Sequence, residues 1–453
     1  QEETASKRTP VECVLLEGSE RLGGKIRTER FDGFVIEGGP DSFISQKPWA
    51  IELCRKLGIA DRLVGTNPDQ TATYVYTGGK MQPMPEGLSL MIPTKFLPFV
   101  TSPLFSLPGK IRMGMDLLIP KKSGDDDESL ASFVRRRLGE EALSKMAEPM
   151  LAGIYASDPE TMSLKATFPM FFQTEQKRRS LILGMLARKR QANAARPTGG
   201  DRPSYTLFMT LKNGLGELVE TIVEKSPRIE FRSGVRIKTV APAPDGTGWK
   251  VVPVEGEALA ADAVILAPPA NIAASILEET APRVAEALRC IRYVSTAAVT
   301  LAYRKQGFSH PLNGFGFVVP RAEGRDIMAC TWTSTKFPQR APKDFVLIRS
   351  FVGGALREEL AEQGADALAA MVERELAEIM GVRQRPAFCR VYSNRKANVQ
   401  YRVGHQNLIA RTMGELRNFP GIFLAGSAYN GIGIPDCILN GNRAAEAAID
   451  YLK

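Results

Sequence analysis

A short apolar run that ends on a carboxylate and leads at once into a glycine pair constrains this chain more than any other feature. Val11-Glu12-Cys13-Val14-Leu15-Leu16-Glu17 reads as a buried strand. Arg21-Leu22-Gly23-Gly24-Lys25-Ile26-Arg27-Thr28 reads as the loop that leaves it. A carboxylate at the end of a Rossmann-type strand can accept two hydrogen bonds from the hydroxyls of an adenosine ribose. Paired glycines let backbone amides approach a pyrophosphate, and Arg21 and Lys25 supply positive charge beside it. A bare Gly-Gly is more often an ordinary surface turn with solvated charges; the strand, Glu17 and the basic flanks together turn the reading toward a dinucleotide.

The chain closes on the same plan. Gly421 to Gly426 reads as a strand, Ser427 to Pro435 as a loop, and Asp436 to Leu452 as a helix with an Ala-rich face. Gly431 and Gly433 remove side chains where a flat ring would lie on backbone, and a helix starting near Asp436 offers amides to ring oxygens. Near the start, a strand from Gly33 to Glu37 leads into the turn Gly38-Gly39-Pro40, and a helix begins with Pro48 near its first position and stops at Gly58.

Between these ends the texture changes. Pro93 to Gln191 reads as helical segments broken by Pro and Gly, with basic runs at Arg135-Arg136-Arg137 and Lys177-Arg178-Arg179, and Ala192 to Pro203 as a polar linker. Short strands follow at Arg228–Phe231, Gly234–Val240, Trp249–Val254 and Ala263–Ala267. A second set, Val294–Tyr303, Gly314–Val319, Ile327–Thr333 and Phe345–Val352, makes a separate sheet followed by a helix over Asp366–Met380. The carboxylates Glu358-Glu359 and Glu373 with Glu375 read as solvated faces.

Composition narrows the function. A chain of 453 residues, 44% hydrophobic and 24% charged, belongs with folded multidomain proteins rather than disordered ones. The net charge of +9 favours acidic small molecules or anionic lipid, and no groove-reading motif accompanies it to suggest nucleic acid. Six cysteines without a CxxC pair and only two histidines, His310 and His405, argue against a metal site. With no charged-apolar-small leader, the thiols are expected to be reduced, buried and cytoplasmic. No apolar run reaches the ~18 residues of a spanning helix, although Ser89 to Pro120 is rich in Leu, Met, Phe and Pro. No Ser/His/Asp order stands out, and His405, within Tyr401-Arg402-Val403-Gly404-His405, reads as a packing residue rather than a general base.

Arg-x-Gly-Gly-Lys-x-x-Thr after a strand ending in Glu resembles the second glycine motif of FAD-dependent amine oxidases, phytoene desaturases and protoporphyrinogen oxidases. Glu37-Gly38-Gly39-Pro40-Asp41-Ser42 and the ending Ala425-Gly426-Ser427-Ala428-Tyr429-Asn430-Gly431-Ile432-Gly433-Ile434-Pro435-Asp436-Cys437-Ile438 resemble the porphyrinogen oxidase branch, and Gly-Ile-Pro-Asp-Cys-Ile looks like the bacterial enzymes that oxidise coproporphyrinogen. The resemblance runs along almost the whole chain. It implies an α/β fold: a discontinuous Rossmann-like FAD-binding domain (1–72, 205–290 and 410–453), a β-sheet substrate domain (73–92 and 291–409) and an inserted, membrane-contacting helical subdomain (93–204).

The same resemblance implies that FAD is lined by Glu17, Gly18, Arg21, Gly24, Lys25, Gly39, Pro40, Asp41, Ser42, Val235, Ser427, Ile432, Gly433 and Ile434. It implies a substrate wall of Phe315, Val318 and Phe351, and no side chain acting as a catalytic acid or base. The implied reaction is oxidation of a porphyrinogen by hydride transfer to FAD, with oxygen reduced to hydrogen peroxide, in heme biosynthesis; coproporphyrinogen III is preferred over protoporphyrinogen IX. Ser89 stands where eukaryotic relatives carry a propionate-binding arginine. An amine oxidase or carotenoid desaturase of the same fold and an inactive tetrapyrrole-binding protein are the other readings. The sequence departs from the family in one respect: it contains no Gly-x-Gly-x-x-Gly, Asn213-Gly214-Leu215-Gly216 being a helix-start turn. Weak FAD binding, or an additional strand-loop-helix unit ahead of Gln1, is the expectation that follows.

Overall fold

Apolar runs become strands much where the sequence places them. The computed structural model describes residues 11–89, 92–93, 95–194 and 205–453. Strand β1 (Cys13–Leu16) lies parallel to β6 (Ile229–Arg232), with Cys13 opposite Ile229 and Leu16 opposite Arg232. Strand β7 (Val264–Leu266) lies parallel to β13 (Ile422–Leu424). Parallel strands are usually covered on both faces; here Leu15 and Ile265 are 42% and 41% exposed, so each pair has an open face.

Strands β2 (Thr28–Phe31) and β3 (Phe34–Glu37) form a hairpin. Its turn is Asp32-Gly33, both with positive φ, the geometry that matches the twist of a two-residue hairpin. The expected single strand over Gly33–Glu37 is therefore half of a pair.

The large sheet has seven strands: β4 (Thr73–Thr77), β5 (Lys80–Pro83), β8 (Tyr293–Arg304), β9 (Gly316–Val318), β10 (Ile327–Thr331), β11 (Phe345–Gly353) and β12 (Phe388–Val399). Their order is β12-β8-β11-β10-β9-β4-β5. Along β11, Val346, Ile348 and Val352 enter a core completed by Leu368, Met371, Val372 and Leu376 of the helix Ala365–Met380. Each such fully buried side chain contributes about 1.5–3 kcal/mol relative to exposure. The alternate residue Leu347 packs the other way, with Phe34 and Ile36 of β3. The sheet thus joins its own helix on one side and the β2–β3 hairpin on the other.

The helical segment builds a separate core around Phe133, Met146, Leu164 and Phe171. Ser106 and Ser129 cap the helices Leu107–Gly114 and Leu130–Arg137 through their side-chain oxygens. The basic run is not solvated throughout: Arg137 is fully buried and pairs with Asp116, whose other oxygen accepts from Ser180 Oγ at 2.6 Å. The last helix of this segment runs over Leu181–Ala194, past the expected end at Gln191; residues 195–203 of the expected linker lie outside the described residues. Among the described residues no helix is long and apolar enough to cross a membrane.

Two expectations about charge and thiols are corrected. Glu375 is 5% exposed, with burial raising its pKa, and Glu358 accepts from the Ser295 amide at 2.8 Å and from Lys396 at 2.7 Å, so neither is a solvated face. All six cysteines are free, but Cys290 is exposed rather than buried.

Candidate functional site

The glycine loop and the Gly38-Gly39 turn are built against each other. A Cβ on Gly39 would lie 1.8 Å from the Lys25 carbonyl oxygen, so only glycine admits this approach. Gly38 donates to the Arg27 carbonyl at 2.7 Å and seals the contact. Gly23 and Gly24 both have positive φ, which makes the turn, and Gly24 has open space around it. Arg21 folds back onto its own loop, donating to the carbonyls of Leu22, Gly24 and Ile26 at 2.9, 2.5 and 2.6 Å. Its sequence-expected role as a free positive charge is therefore in part a structural one. Lys25 keeps access to water, and the protein atoms around its ammonium lower its pKa by burial.

Beneath the turn lies a charged layer. Burial alone would raise the Asp41 pKa, but Lys336 at 3.1 Å and the Arg349 guanidinium hold it well below the usual carboxylate range. Arg349 donates to the Gly39 carbonyl at 2.5 Å, and Ser42 Oγ donates to Asp41 at 2.6 Å. Glu37 accepts from the Leu215 amide and from Thr28 and faces Arg340 at 3.2 Å; burial raises its pKa. Pro40 connects these layers without a donor of its own.

At the end of β1, Glu17 Oε1 accepts from the Ser19 amide and hydroxyl, both at 2.8 Å, which fixes the carboxylate at the strand tip. The Val235 amide donates to the Glu17 carbonyl at 2.9 Å, so Val235 lies beside Glu17 although far away in sequence. Gly18 is exposed next to Arg236. Glu17, Gly18 and Val235 lie just beyond the C-terminal ends of the β1–β6 pair, where the Glu17 amide donates to the Arg232 carbonyl at 2.9 Å.

The closing loop is held by a residue that sequence reasoning missed. Tyr401 donates its hydroxyl to the Ser427 carbonyl and accepts from the Gly431 amide, both at 2.8 Å. Its ring stacks on His405 with centroids 3.9 Å apart. Burial lowers the His405 pKa to about 4, so the imidazole is neutral at pH 7 and packs rather than titrates there. A Cβ on Gly431 would lie 2.5 Å from Asp436 Cγ, and Asp436 also takes Lys47 Nζ at 2.6 Å. The final helix runs over Ile434–Tyr451 with Gly433 as its cap, two residues earlier than expected, because Pro435 is accommodated in the first turn. Ile432 and Ile434 point into neighbouring cores. The one sequence signal for Tyr401 is its place at the head of the string Tyr401 to His405, where the histidine is the more conspicuous chemical group.

Val318 and Phe351 lie on one face of the large sheet, each opposite Ala329 of the intervening strand β10. Helix Glu148–Tyr155 covers part of this row, Gly153 approaching Ala329 and Val318 closely enough that a Cβ would be in contact with both. Phe351 is half-buried, with its ring 4.8 Å from the Arg349 guanidinium and thus near the Gly39 turn. Phe315 precedes β9, where Gly316 takes a positive φ, so it stands outside that row. The side chain of Ser89 lies outside what is described; its backbone pairs with Ile92.

Residues 6–449 match the family model described as flavin containing amine oxidoreductase. The chain belongs to that family. Among curated relatives of this flavin-dependent amine oxidoreductase, coproporphyrinogen III oxidase of Bacillus subtilis is 37% identical, covering 100% of this chain and 94% of its own. Coproporphyrinogen III oxidase of Staphylococcus aureus is 31% identical, over 98% and 94%. A solved structure from Exiguobacterium sp. 255-15, whose name gives protoporphyrinogen oxidation only provisionally, superposes with a TM-score of 0.83 at 33% identity, covering 97% of this chain and 92% of that one. This amine oxidoreductase is an FAD-dependent enzyme. One feature suits that cofactor: the Glu17 carboxylate, oriented by Ser19 at the β1 tip, is of the kind that accepts hydrogen bonds from a ribose.

Proposed function

We propose that this enzyme oxidises a porphyrinogen, preferring coproporphyrinogen III and yielding coproporphyrin III, with oxygen as the final acceptor and hydrogen peroxide as its product, in heme biosynthesis. The observation that carries this reading is the 37% identity over the whole chain to a bacterial enzyme named for coproporphyrinogen III. Bound FAD supplies the hydride acceptor; the organic chemistry is the cofactor's. The side chains are then asked to bind, to orient and to exclude water. Glu17 and Val235 meet the adenosine end, Gly18, Arg21, Gly24 and Lys25 the pyrophosphate region, and Gly39 to Ser42 with Ser427, Ile432, Gly433 and Ile434 the ring end. Phe315, Val318 and Phe351 form the substrate wall, with Phe351 beside Arg349. No side chain is assigned as an acid or base, in keeping with a His405 that is buried and neutral.

In this reading 1–72, 205–290 and 410–453 serve the flavin, 73–92 and 291–409 the substrate, and 93–204 a membrane surface. A cytoplasmic protein in peripheral contact with anionic lipid is supported by apolar side chains left in water on that segment. Leu97, Leu107, Ile111 and Leu118 are 74, 71, 62 and 74% exposed. Arg179 donates to the Leu117 carbonyl, so the basic run Lys177-Arg178-Arg179 borders the same surface.

The test is a comparison of specificity constants for coproporphyrinogen III, protoporphyrinogen IX and simple amines, on flavin-saturated protein. Coproporphyrin III is expected to form fastest at low substrate. A higher constant for protoporphyrinogen IX reverses the substrate, and turnover of amines alone overturns the porphyrinogen reading.

A further inference from the structure

Tyr401 follows the end of β12 by two residues and is 5% exposed. Its hydroxyl donates to the Ser427 carbonyl and accepts from the Gly431 amide, both at 2.8 Å. Those two backbone groups stand at positions i and i+4 of the closing loop, the pair that bonds directly in a single helical turn. Here they do not bond each other: one phenolic oxygen stands between them, using its only proton on one side and a lone pair on the other. Tyr401 is a wedge that holds the loop open.

The wedge is braced from behind. The Tyr401 ring stacks on His405 with centroids 3.9 Å apart, and the Tyr401 carbonyl accepts from the Ser163 amide at 2.8 Å. Gly404, the cap of the helix His405–Leu416, donates to Asp127 at 3.0 Å. Ahead of the wedge, the chain leaves Gly431 for the final helix, and the amides of Ile432, Gly433 and Ile434 donate to no acceptor among the described residues. The side chains of Ile432 and Ile434 pack against neighbouring cores, so this segment is anchored while its amides stay unpaired.

We propose that Tyr401 is a positioning residue for the flavin: its hydroxyl opens the loop so that the amides of residues 432–434 serve the ring instead of folding back toward Ser427. The inference rests on the reading that this loop meets the ring end of FAD, and it is independent of which substrate is oxidised. Reduction adds negative charge to a flavin ring, and amide donors directed at that charge favour the reduced form. Without the hydroxyl, Ser427 and Gly431 are left to bond each other, which withdraws those donors.

Tyr401→Phe keeps the ring on His405 and removes only the wedge. In this variant the dissociation constant of FAD is expected to rise about tenfold, and the midpoint potential of the bound flavin to become more negative. Glu17→Ala, at the adenosine end, is the control, expected to weaken FAD and leave the potential unchanged. A native potential in FAD-saturated Tyr401→Phe overturns the proposal. Hydrogen exchange needs no variant: in the unaltered apoprotein the Gly431 amide is expected to be protected before FAD is added, and exchange at the rate of an open loop overturns the wedge. A crystal structure of the FAD-loaded chain keeps the two failures apart. A ring seated away from residues 427–434 removes the reading and the proposal with it, whereas a ring seated there, with a native potential in Tyr401→Phe, removes the proposal alone.

Discussion

The carbonyl of Lys25 faces Gly39 at a distance that leaves no room for a side chain: a Cβ there would be 1.8 Å from the oxygen. Two sequence motifs that are separate along the chain are one packed unit in space. Replacing Gly39 with Ala forces the Lys25 loop to move, at a cost of about 1–3 kcal/mol from overpacking. The expected outcome is a lower thermal midpoint together with a reduced ratio of flavin to protein absorbance. Retention of both values would show that the contact is not needed.

The carboxylate of Glu17 is oriented by Ser19 and stands at the strand tip. Glu17→Ala is expected to weaken FAD by about 1.5–3 kcal/mol, the worth of a charge-assisted hydrogen bond. Titrating apoprotein with FAD measures this, and Ser19→Ala serves as the control for loop orientation. An unchanged affinity removes Glu17 from the flavin site.

His405 gives a pH dependence of definite sign. Its pKa falls from 6.5 in the unfolded chain to about 4 in the fold, with burial as the main cause. The native imidazole therefore resists protonation, and its contribution to stability is present above pH 6.5 and lost as pH falls toward 4. The loss is on the order of 3 kcal/mol across that window. Chemical denaturation at several pH values is expected to show it, and His405→Gln to flatten the curve there. An equal slope in the variant would assign the acid sensitivity to other groups.

Replacing Leu107, Ile111 and Leu118 together by Glu removes exposed apolar surface and adds negative charge beside a basic run. Cosedimentation with anionic vesicles is expected to drop at least several-fold, while turnover of a soluble substrate is retained. Release of the unmodified protein by salt would mark an electrostatic contact. Binding that is equal before and after the replacement would move the contact elsewhere.

Much of this fold is legible in the sequence because apolar patterning and glycine placement are local signals. The strand ending at Glu17, the helix opening at Pro48 and the closing Gly-rich loop all stand near their expected positions. What stays hidden depends on distant partners. Strand β12 escapes sequence reasoning because Arg390, Asn394, Arg395 and Lys396 interrupt the apolar pattern that marks a strand; it is an outer strand of the sheet and leaves charged side chains partly in water. The β2–β3 hairpin does carry a local signal, Asp32-Gly33, between two short apolar runs. Arg137, Arg340 and Arg349 cannot be read as buried, since an arginine enters a core only where a carboxylate or carbonyl meets it, and those partners are remote in sequence. Tyr401 is hidden for the same reason: its hydroxyl serves a loop some thirty residues on.

Strand β11 sends Val346, Ile348 and Val352 to one face and Leu347, Arg349 and Phe351 to the other. Point replacements along it stay local, each confined to one environment. Adding or removing a single codon ahead of Arg349 is a different event. Every later side chain would exchange faces, carrying the Arg349 guanidinium toward the helix Ala365–Met380 and Val352 toward the Gly39 turn. A one-codon insertion or deletion in this stretch is therefore expected to damage the protein far more than any single substitution within it.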